Sequence, residues 1–173
     1  MKLTAPERIL DLAWPYFETA GFVPGSPVND ETKTWAAAMI HLLLPSVDTL
    51  AQLPERARFL FQFDAAATKA DAENAAMLAT ESAQKVLQAF AMRVRANEGP
   101  ATPEKFKAWM NEIKTETGVK GKDLFHPVRI ALTGSHSGPE FDKLIPLIEE
   151  GSRLDLPTHV PSIRERIDGF VGA

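Results

Sequence analysis

Apolar side chains recur every three or four residues through most of the chain, with polar residues between them. The clearest sets at this spacing are Ile9, Leu10, Ala13 and Phe17; Trp35, Met39, Leu42 and Leu43; Phe106, Trp109, Met110 and Ile113; and Leu144, Ile145 and Ile148. This period places each set on one face of a helix and predicts amphipathic α-helices. No window shows the sustained two-residue alternation of a half-buried strand, so the predicted fold class is all-α, without a sheet.

Residues that start and stop helices divide the N-terminal part of the chain. Thr4 and Glu7 form a capping-box pattern at the start of a first helix, which Pro15 is expected to kink or split and Gly21 to end. Further helices are predicted to begin at about Asp30, at Ser46 and at Pro54, and a long alanine-rich helix is predicted from Asp71 to Ala96.

The C-terminal part of the chain is predicted to be helical as well. Thr102 opens a helix that Gly118 ends. The later helices are predicted over 121–132 with an interruption at Pro127, from Pro139 to Gly151, and around 163–167 with Ser162 as its cap. The Gly99-Pro100-Ala101 break divides the chain into two consecutive helical bundles, residues 1–98 and the smaller 99–173.

The composition excludes several kinds of site. The 173 residues include no cysteine, which rules out disulfides and thiolate metal ligands. The four histidines, at positions 41, 126, 136 and 159, have no metal-ligand spacing, and we expect no metal and no cofactor. No apolar run approaches the roughly 18 residues of a membrane span, and residues 1–3 lead into a helix rather than a signal peptide. We therefore expect a cytosolic protein that binds no membrane.

The stretch from Gly118 to Pro139 differs from the rest of the chain in charge. The whole chain has a formal net charge of −4 and a pI near 5.6, which argues mildly against nucleic acid as a partner. Within this stretch, however, Lys120, Lys122 and Arg129 stand against a single acid, Asp123. Its glycines permit positive φ and close backbone approach, and exposed N–H groups in such turns bind anions. The stretch is therefore a candidate site for a phosphate backbone or an unstacked base, with a small basic footprint.

The order of residues in this stretch resembles that of a known family. Characteristic positions of the C-terminal anticodon-binding region of bacterial glutamyl-tRNA synthetases are matched by Pro127, Arg129, Ala131, Thr133 and Gly134. A weaker resemblance to the same region extends over most of the rest of the chain, in residues 35–40, 47–50 and 57–61. The resemblance implies an all-α fold of two consecutive helical bundles that binds tRNA-Glu.

The resemblance also implies roles for individual residues. The arginine that matches Arg129 faces the anticodon, where a guanidinium can bond a base edge and stack on it. The alternative is an arginine that bridges two helices. Residues of the following turn are expected to contact anticodon nucleotides through backbone groups and apolar contact: Thr133, Gly134, Gly138, Pro139 and Phe141. The alternative there is that Gly138 and Pro139 begin the next helix, and both hold together because a helix amino end attracts phosphate.

Four further cations are candidates for contacts with the tRNA backbone. Lys120 and Lys122 are expected to touch phosphates, which sets position rather than sequence; the alternative is that they are solvated loop lysines. Arg56 and Arg58 extend the basic track onto the first bundle. The alternative for Arg58 is an ion pair with Glu55 or Asp64.

The catalytic part of the family has no counterpart in this sequence. Nothing resembles the HIGH or KMSKS motifs, and 173 residues leave no room for the nucleotide-binding catalytic domain. We expect a monomeric expressed fragment, rather than a free-standing protein, that in the intact enzyme works with the catalytic domain of the same synthetase. Leu44-Pro45-Ser46 stands where many relatives carry an arginine that discriminates the last anticodon base. For this reason tRNA-Gln is a second candidate partner besides tRNA-Glu.

Two other classes of function remain open on the sequence. A helical protein–protein interaction module of the same fold would show a charge-poor apolar patch around Arg129. A helical enzyme built on the histidines would need two ionisable groups converging in a pocket, and Ser135-His136-Ser137 lacks the orienting third group of a catalytic pair. No catalytic residue is assigned. The expected mechanism is binding, in which stacking contributes about 1–3 kcal/mol per base and released counterions add to it.

Overall fold

The computed structural model describes residues 5–26 and 28–172, so Thr4 of the predicted capping box lies outside the described residues. These residues form ten α-helices in chain order: α1 (Pro6–Thr19), α2 (Asp30–Leu43), α3 (Leu53–Phe61), α4 (Ala65–Ala70), α5 (Ala72–Leu78), α6 (Glu81–Ala96), α7 (Pro103–Thr117), α8 (Lys122–Thr133), α9 (Phe141–Gly151) and α10 (Ile163–Val171). Short 3₁₀ turns occur at Leu44–Ser46 and Leu50–Gln52. No strand occurs in the described ranges, which confirms the predicted all-α class.

Three predicted helix boundaries follow directly from capping residues. At α10, Ser162 and Glu165 form a reciprocal capping box: the Glu165 N–H donates to Ser162 Oγ at 3.2 Å, and the Ser162 N–H donates to Glu165 Oε2 at 2.6 Å. At α7, Thr102 Oγ1 accepts from the Lys105 N–H at 3.2 Å. Gly118 ends α7 at φ 73°, in the left-handed region that favours glycine. These starts and stops are confirmed.

The predicted alanine-rich helix over residues 71–96 was wrong, because this segment forms two helices, α5 and α6. Thr80 separates them. Its hydroxyl donates to the Met77 carbonyl at the end of α5, at 2.8 Å, and accepts from the Ala83 N–H at the start of α6, at 3.2 Å. A threonine that bonds both helix ends competes with a continuous helix, whatever the propensity of the alanines around it.

Other expectations about helix breaks also need correction. Pro15 and Pro127 do not split their helices, since α1 and α8 run through them. Pro139 does not open α9, which begins at Phe141. The segment predicted to be a helix from Ser46 consists of 3₁₀ turns with extended residues between them. The sequence prediction also missed α4, which Asp64 caps by accepting from the Ala67 N–H at 2.9 Å.

Helix α6 packs at the centre of the molecule, in contact with α7, α8 and α10. Phe90 on its buried face has its ring centre 5.8 Å from that of Phe106 and 6.1 Å from that of Trp109. Helix α2 packs against α1, α3 and α9. The boundary between residues 98 and 99 stays a prediction, and α6 packs across it onto helices that follow it in the chain.

One buried arginine ties the end of α3 to the end of α8. Arg166 Nη1 donates to the carbonyls of Phe59 and Leu132 at 2.7 and 2.9 Å, and Nη2 donates to that of Leu60 at 2.7 Å. Nε donates to the Pro161 carbonyl at 2.8 Å. Burial lowers the pKa of Arg166 to about 9, so the guanidinium stays charged at neutral pH. These bonds bring Phe59 beside the carboxyl end of α8, where the candidate site lies.

No single helix of the described chain is long and apolar enough to cross a membrane. One pair, Asp30–Ser46 with Leu50–Phe61, meets the length and composition criteria only when taken together, and it is bent by 110° at the break.

Candidate nucleic-acid interface

The turn between α8 and α9, residues 134–140, is held by contacts from α4 and α5. Gly134 ends α8 at φ 81°, in the left-handed region. Its carbonyl accepts from Asn74 Nδ2 at 3.1 Å, and the same amide donates to the Thr68 carbonyl at 3.1 Å. A Cβ at Gly134 would lie 3.1 Å from Thr68 Oγ1, which leaves little space for any other residue. The start of the turn is therefore set by residues about 60 positions earlier in the chain.

Arg129 joins α8 to the far end of the same turn. Its Nη1 donates to the Pro139 carbonyl at 2.6 Å, and its guanidinium carbon lies 4.2 Å from the centre of the Phe141 ring. Thr133 Oγ1 donates to the Arg129 carbonyl at 2.9 Å and accepts from the Ser135 N–H at 3.3 Å. Burial lowers the pKa of Arg129, but a guanidinium stays protonated in proteins. Arg129 thus makes the bridging contacts of the alternative interpretation, and its contact with a base stays a prediction.

Two cavities lie along the turn and share Ser137 and Gly138. The α3-side cavity has a volume of about 420 Å³ and is lined by Leu42, Leu43, Pro45, Ser46, Arg56, Phe59, Thr133, Ser135, Ser137, Gly138 and Pro139. The α8-side cavity has a volume of about 580 Å³ and is lined by Gly121, Lys122, Phe125, His126, Arg129, His136, Ser137, Gly138 and Phe141. Both volumes fall in the range of ordinary ligand pockets.

Most of the residues predicted from the resemblance meet at these two cavities. The α3-side cavity contains Arg56, Thr133, Gly138 and Pro139, and the α8-side cavity contains Lys122, Arg129, Gly138 and Phe141. The structure therefore brings together side chains from α3, α8, the turn and α9. Their contact with RNA stays a prediction.

Three predicted residues lie outside both linings. Gly134 holds the turn through its carbonyl rather than facing a cavity. Arg58 Nη2 lies 3.2 Å from Glu55 Oε2, and both side chains are exposed, as the ion-pair alternative for Arg58 predicts. Lys120 is exposed ahead of α8. For these residues a role in tRNA binding has less structural support than for the cavity residues.

The segment Leu44-Pro45-Ser46, where a departure from the family pattern is expected, falls at the α3-side cavity, and Pro45 and Ser46 form part of its wall. The Ser46 hydroxyl donates to the Leu43 carbonyl at 2.6 Å, which ends α2. At this position the cavity wall is therefore uncharged.

Sequence reasoning missed five residues of the α8-side cavity: Gly121, Phe125, His126, His136 and Ser137. A helical signal for two of them was present, because Phe125 and His126 lie three and four residues after Lys122 and precede Arg129 by about one turn. All four therefore share one face of α8. His136 had no such signal, since it reaches the cavity through the turn.

The α8-side cavity places two imidazoles among cations. The ring centres of His126 and His136 are 5.6 Å apart. Burial, the neighbouring imidazole of His136 and the cations Lys122 and Arg129 lower the pKa of His126 from its ordinary value of 6.5, and Asp123 opposes them. His126 is therefore mostly neutral at pH 7.

The geometry gives no arrangement for nucleophilic catalysis. Ser135 and Ser137 lie with their hydroxyls 3.4 Å apart, and Ser135 Oγ also accepts from the Ser137 N–H at 3.3 Å. Within the described ranges neither hydroxyl hydrogen-bonds an imidazole, as a serine nucleophile requires. The described residues also contain no group of three or more histidine and acidic side chains that could hold a metal ion.

This all-α chain, with cations of α3 and α8 in the two cavities along the turn, matches a known family in sequence. Residues 8–152 match the family described as anticodon binding domain, and the chain belongs to that family.

Similar proteins include several bacterial glutamate–tRNA ligases. Glutamate–tRNA ligase 2 of Caldanaerobacter subterraneus subsp. tengcongensis is 32% identical over 152 residues, which are 86% of this chain and 30% of that protein. The glutamate–tRNA ligase of Carboxydothermus hydrogenoformans is 31% identical over 82% of this chain and 28% of that protein. That of Bacillus subtilis is 32% identical over the same shares. The chain is thus similar to the anticodon-binding region of these ligases and spans less than a third of their length.

Proposed function

We propose that this chain binds tRNA-Glu by its anticodon loop and positions it for a glutamate–tRNA ligase domain outside the chain. The observation that carries the proposal is the pair of cavities along the 134–140 turn, in a chain that belongs to the anticodon binding domain family. Arg56, Lys122 and Arg129 line these cavities although the whole chain is acidic.

The chemistry of the cavities suits an unpaired RNA loop. Unstacked bases offer flat faces and polar edges, which proteins bind with aromatic rings, guanidinium planes and hydrogen bonds. The α8-side cavity combines the Phe125 and Phe141 rings with the Arg129 guanidinium, which is already stacked on Phe141. Arg56 and Lys122 are available for phosphates, which contribute affinity without sequence preference. Specificity would then come from the bases held along the turn.

The environment of Arg129 does not favour the protein-docking alternative. That alternative predicts a charge-poor apolar patch, whereas Lys122, His126 and His136 line the same cavity as Arg129. The enzyme alternative required converging ionisable groups, and the two histidines do converge. The serines of the turn, however, make no hydrogen bond to them.

Several finer statements belong to the same proposal. They are a role in protein biosynthesis, a cytoplasmic location, a monomeric state and a catalytic domain of the same synthetase as partner. Because Pro45 and Ser46 contribute no charge to their part of the α3-side cavity wall, tRNA-Gln is included with tRNA-Glu as a candidate.

Titration with two RNAs tests the proposal. A tRNA-Glu transcript and the same tRNA with a scrambled anticodon are titrated at two salt concentrations. We expect tighter binding of the RNA with the intact anticodon. The logarithm of Kd should rise with the logarithm of the salt concentration, with a slope of about 0.7 for each phosphate contact to a single strand. Binding that is equal for both RNAs would refute anticodon reading, and no binding to either at low salt would refute RNA binding altogether.

Substitutions at Arg129 locate the site. Arg129→Ala should abolish the preference for the intact anticodon, and Arg129→Lys should lose most of it because a lysine has no planar fork. The matched control is Arg164→Ala, at an exposed position of α10, which should bind both RNAs as the unsubstituted chain does. Circular dichroism of each variant distinguishes loss of a contact from loss of the fold.

A further inference from the structure

Two of the four histidines meet in the α8-side cavity. His126 lies on α8 and His136 on the turn, with ring centres 5.6 Å apart and ring planes inclined by 44°. Lys122 lies one helical turn before His126, and Arg129 lies one turn after it. Four groups that can carry positive charge therefore line a single cavity of about 580 Å³.

The carboxylates around this cluster do not balance its charge. On α8, Asp123 opposes the lowering of the His126 pKa, against the cations Lys122 and Arg129. From α5, Glu73 Oε1 lies 4.0 Å from His136 Nε2, beyond hydrogen-bonding distance, and the Glu73 side chain is 77% exposed. From α9 the cavity receives Phe141, which carries no charge. If both imidazoles were protonated, cations would outnumber acids and repel one another.

An anion between the rings would reverse this balance. A phosphate group carries negative charge and several acceptor oxygens, so each imidazolium N–H can donate to it while Lys122 and Arg129 supply further charge. The ring centres are close enough for one phosphate group to be within hydrogen-bonding reach of both imidazoles. The step is a protonation: each imidazole takes a proton from a solvent hydronium ion, one N–H bond forms as one O–H bond breaks, and the new N–H donates a hydrogen bond to a non-bridging phosphate oxygen.

We propose that His126 and His136, together with Lys122 and Arg129, form a proton-linked site for one phosphate group of a bound RNA. The identity of the ligand rests on the proposed function, whereas the phosphate chemistry of the cavity does not. The lysine and arginine charges contribute an affinity that does not depend on pH near neutrality. The two imidazoles add a contribution that does.

The direction of the pH effect follows from linkage. A bound phosphate raises the pKa of His126, so the complex binds more protons than the free protein. The affinity that this proton adds is complete below the pKa of the free His126 imidazole and is lost as pH rises through its pKa in the complex. Because the pKa of His126 in the free protein is lowered from 6.5, the affinity begins to fall with rising pH below that value. Over the pH range of this fall, the affinity decreases at most about tenfold per pH unit for each proton taken up.

Fluorescence anisotropy of a labelled tRNA-Glu transcript at constant ionic strength measures this dependence. Between about pH 5.5 and about pH 8.5 we expect the Kd to rise about tenfold for the unsubstituted chain. His126→Gln and His136→Gln should each flatten the profile. The control His159→Gln removes an exposed histidine that faces Glu165, and it should keep the full pH dependence.

A ¹H NMR titration of the imidazole signals gives a second readout and separates the two sources of phosphate. Inorganic phosphate and the tRNA transcript are each added, and a rise in the His126 pKa with either one supports the site. A flat affinity profile together with unchanged imidazole pKa values in the RNA complex would overturn the inference and leave the proposed function intact. If no RNA binds at any pH, the proposed function fails, and inorganic phosphate alone decides whether the cavity is a proton-linked anion site.

Discussion

Replacing Gly151 by alanine tests the close packing of α2 against α9. The Trp35 indole N–H donates to the Leu147 carbonyl at 2.8 Å, which holds the Nε1 edge of the ring against the last turn of α9. A Cβ at Gly151 would lie 2.6 Å from Trp35 Cζ2 and 2.8 Å from Cε2. Carbon atoms in contact normally lie about 3.5–4.0 Å apart, so the methyl group overlaps the indole by about 1 Å.

The size of the effect follows from two opposing contributions. Alanine in place of a helical glycine contributes about 0.5–1 kcal/mol of stability, because glycine loses more conformational freedom on folding. Forcing an extra methyl group into a packed core costs about 1–3 kcal/mol. Trp35 is only 3% exposed and cannot swing away without losing its bond to Leu147. We therefore expect Gly151→Ala to lower the free energy of unfolding by about 1–2 kcal/mol.

A second helical glycine provides the matched control. Gly169 lies in α10, and no heavy atom would lie within 4 Å of a Cβ there. Gly169→Ala should therefore raise the free energy of unfolding by about 0.5–1 kcal/mol. Urea denaturation of both variants, compared at equal m-value, measures the difference between their free energies of unfolding. Each kcal/mol should also shift the Tm by about 2–4 °C for a chain of this size.

A double-mutant cycle with Trp35→Phe assigns the cost to the indole. Phenylalanine lacks the indole atoms that a methyl group at position 151 would meet, so in the Trp35→Phe background Gly151→Ala should be neutral or stabilising. The interaction energy of the pair should then be about 1–3 kcal/mol. The reasoning would be refuted if Gly151→Ala stabilised the chain as Gly169→Ala does, or if its cost were the same with phenylalanine at position 35.

Two further variants test the contacts that hold the site. Arg166→Met leaves four carbonyls, including those at the ends of α3 and α8, without their donor. It should lower the free energy of unfolding, measured by urea denaturation, by about 3–5 kcal/mol. Arg166→Lys should lower it less, and equal losses would contradict the role of the guanidinium fork. Asn74→Ala removes the hydrogen bond from the Asn74 side chain to the Gly134 carbonyl. It should lower the free energy of unfolding by about 1–3 kcal/mol and weaken RNA binding. Asn111→Ala, at an exposed position of α7, is its control, and equal effects of the two alanines would contradict a special role for Asn74.

Local signals in the sequence predicted most of the helices and many of the residues at the candidate site. The three-to-four-residue period, the Thr102 and Ser162 caps and the Gly118 stop act within a turn or two of the chain, so they can be read without tertiary structure. The same holds for the resemblance of residues 127–134 to an anticodon-binding region, which the family match confirms. The contact of these residues with RNA stays a prediction.

Local sequence signals do not suffice where a neighbour in space or a competing local bond decides. Thr80 divides an alanine-rich segment because its hydroxyl bonds both helix ends. Arg56 and Arg58 carry the same charge, and only the packing of α3 turns Arg56 towards a cavity while Arg58 pairs with Glu55. Helical spacing alone cannot distinguish them, because residues two apart on a helix point in different directions.

The sequence alone thus determined the helical class, the family and the position of the turn between α8 and α9, because each depends on residues close together in the chain. Tertiary structure decided how that turn is held and what surrounds it. Asn74 reaches Gly134 across about 60 residues, and Arg166 reaches Phe59 across about 107. His136 lies beside His126 only because the turn folds back over α8. Such contacts depend on how the helices pack, and no local pattern encodes which helix faces which.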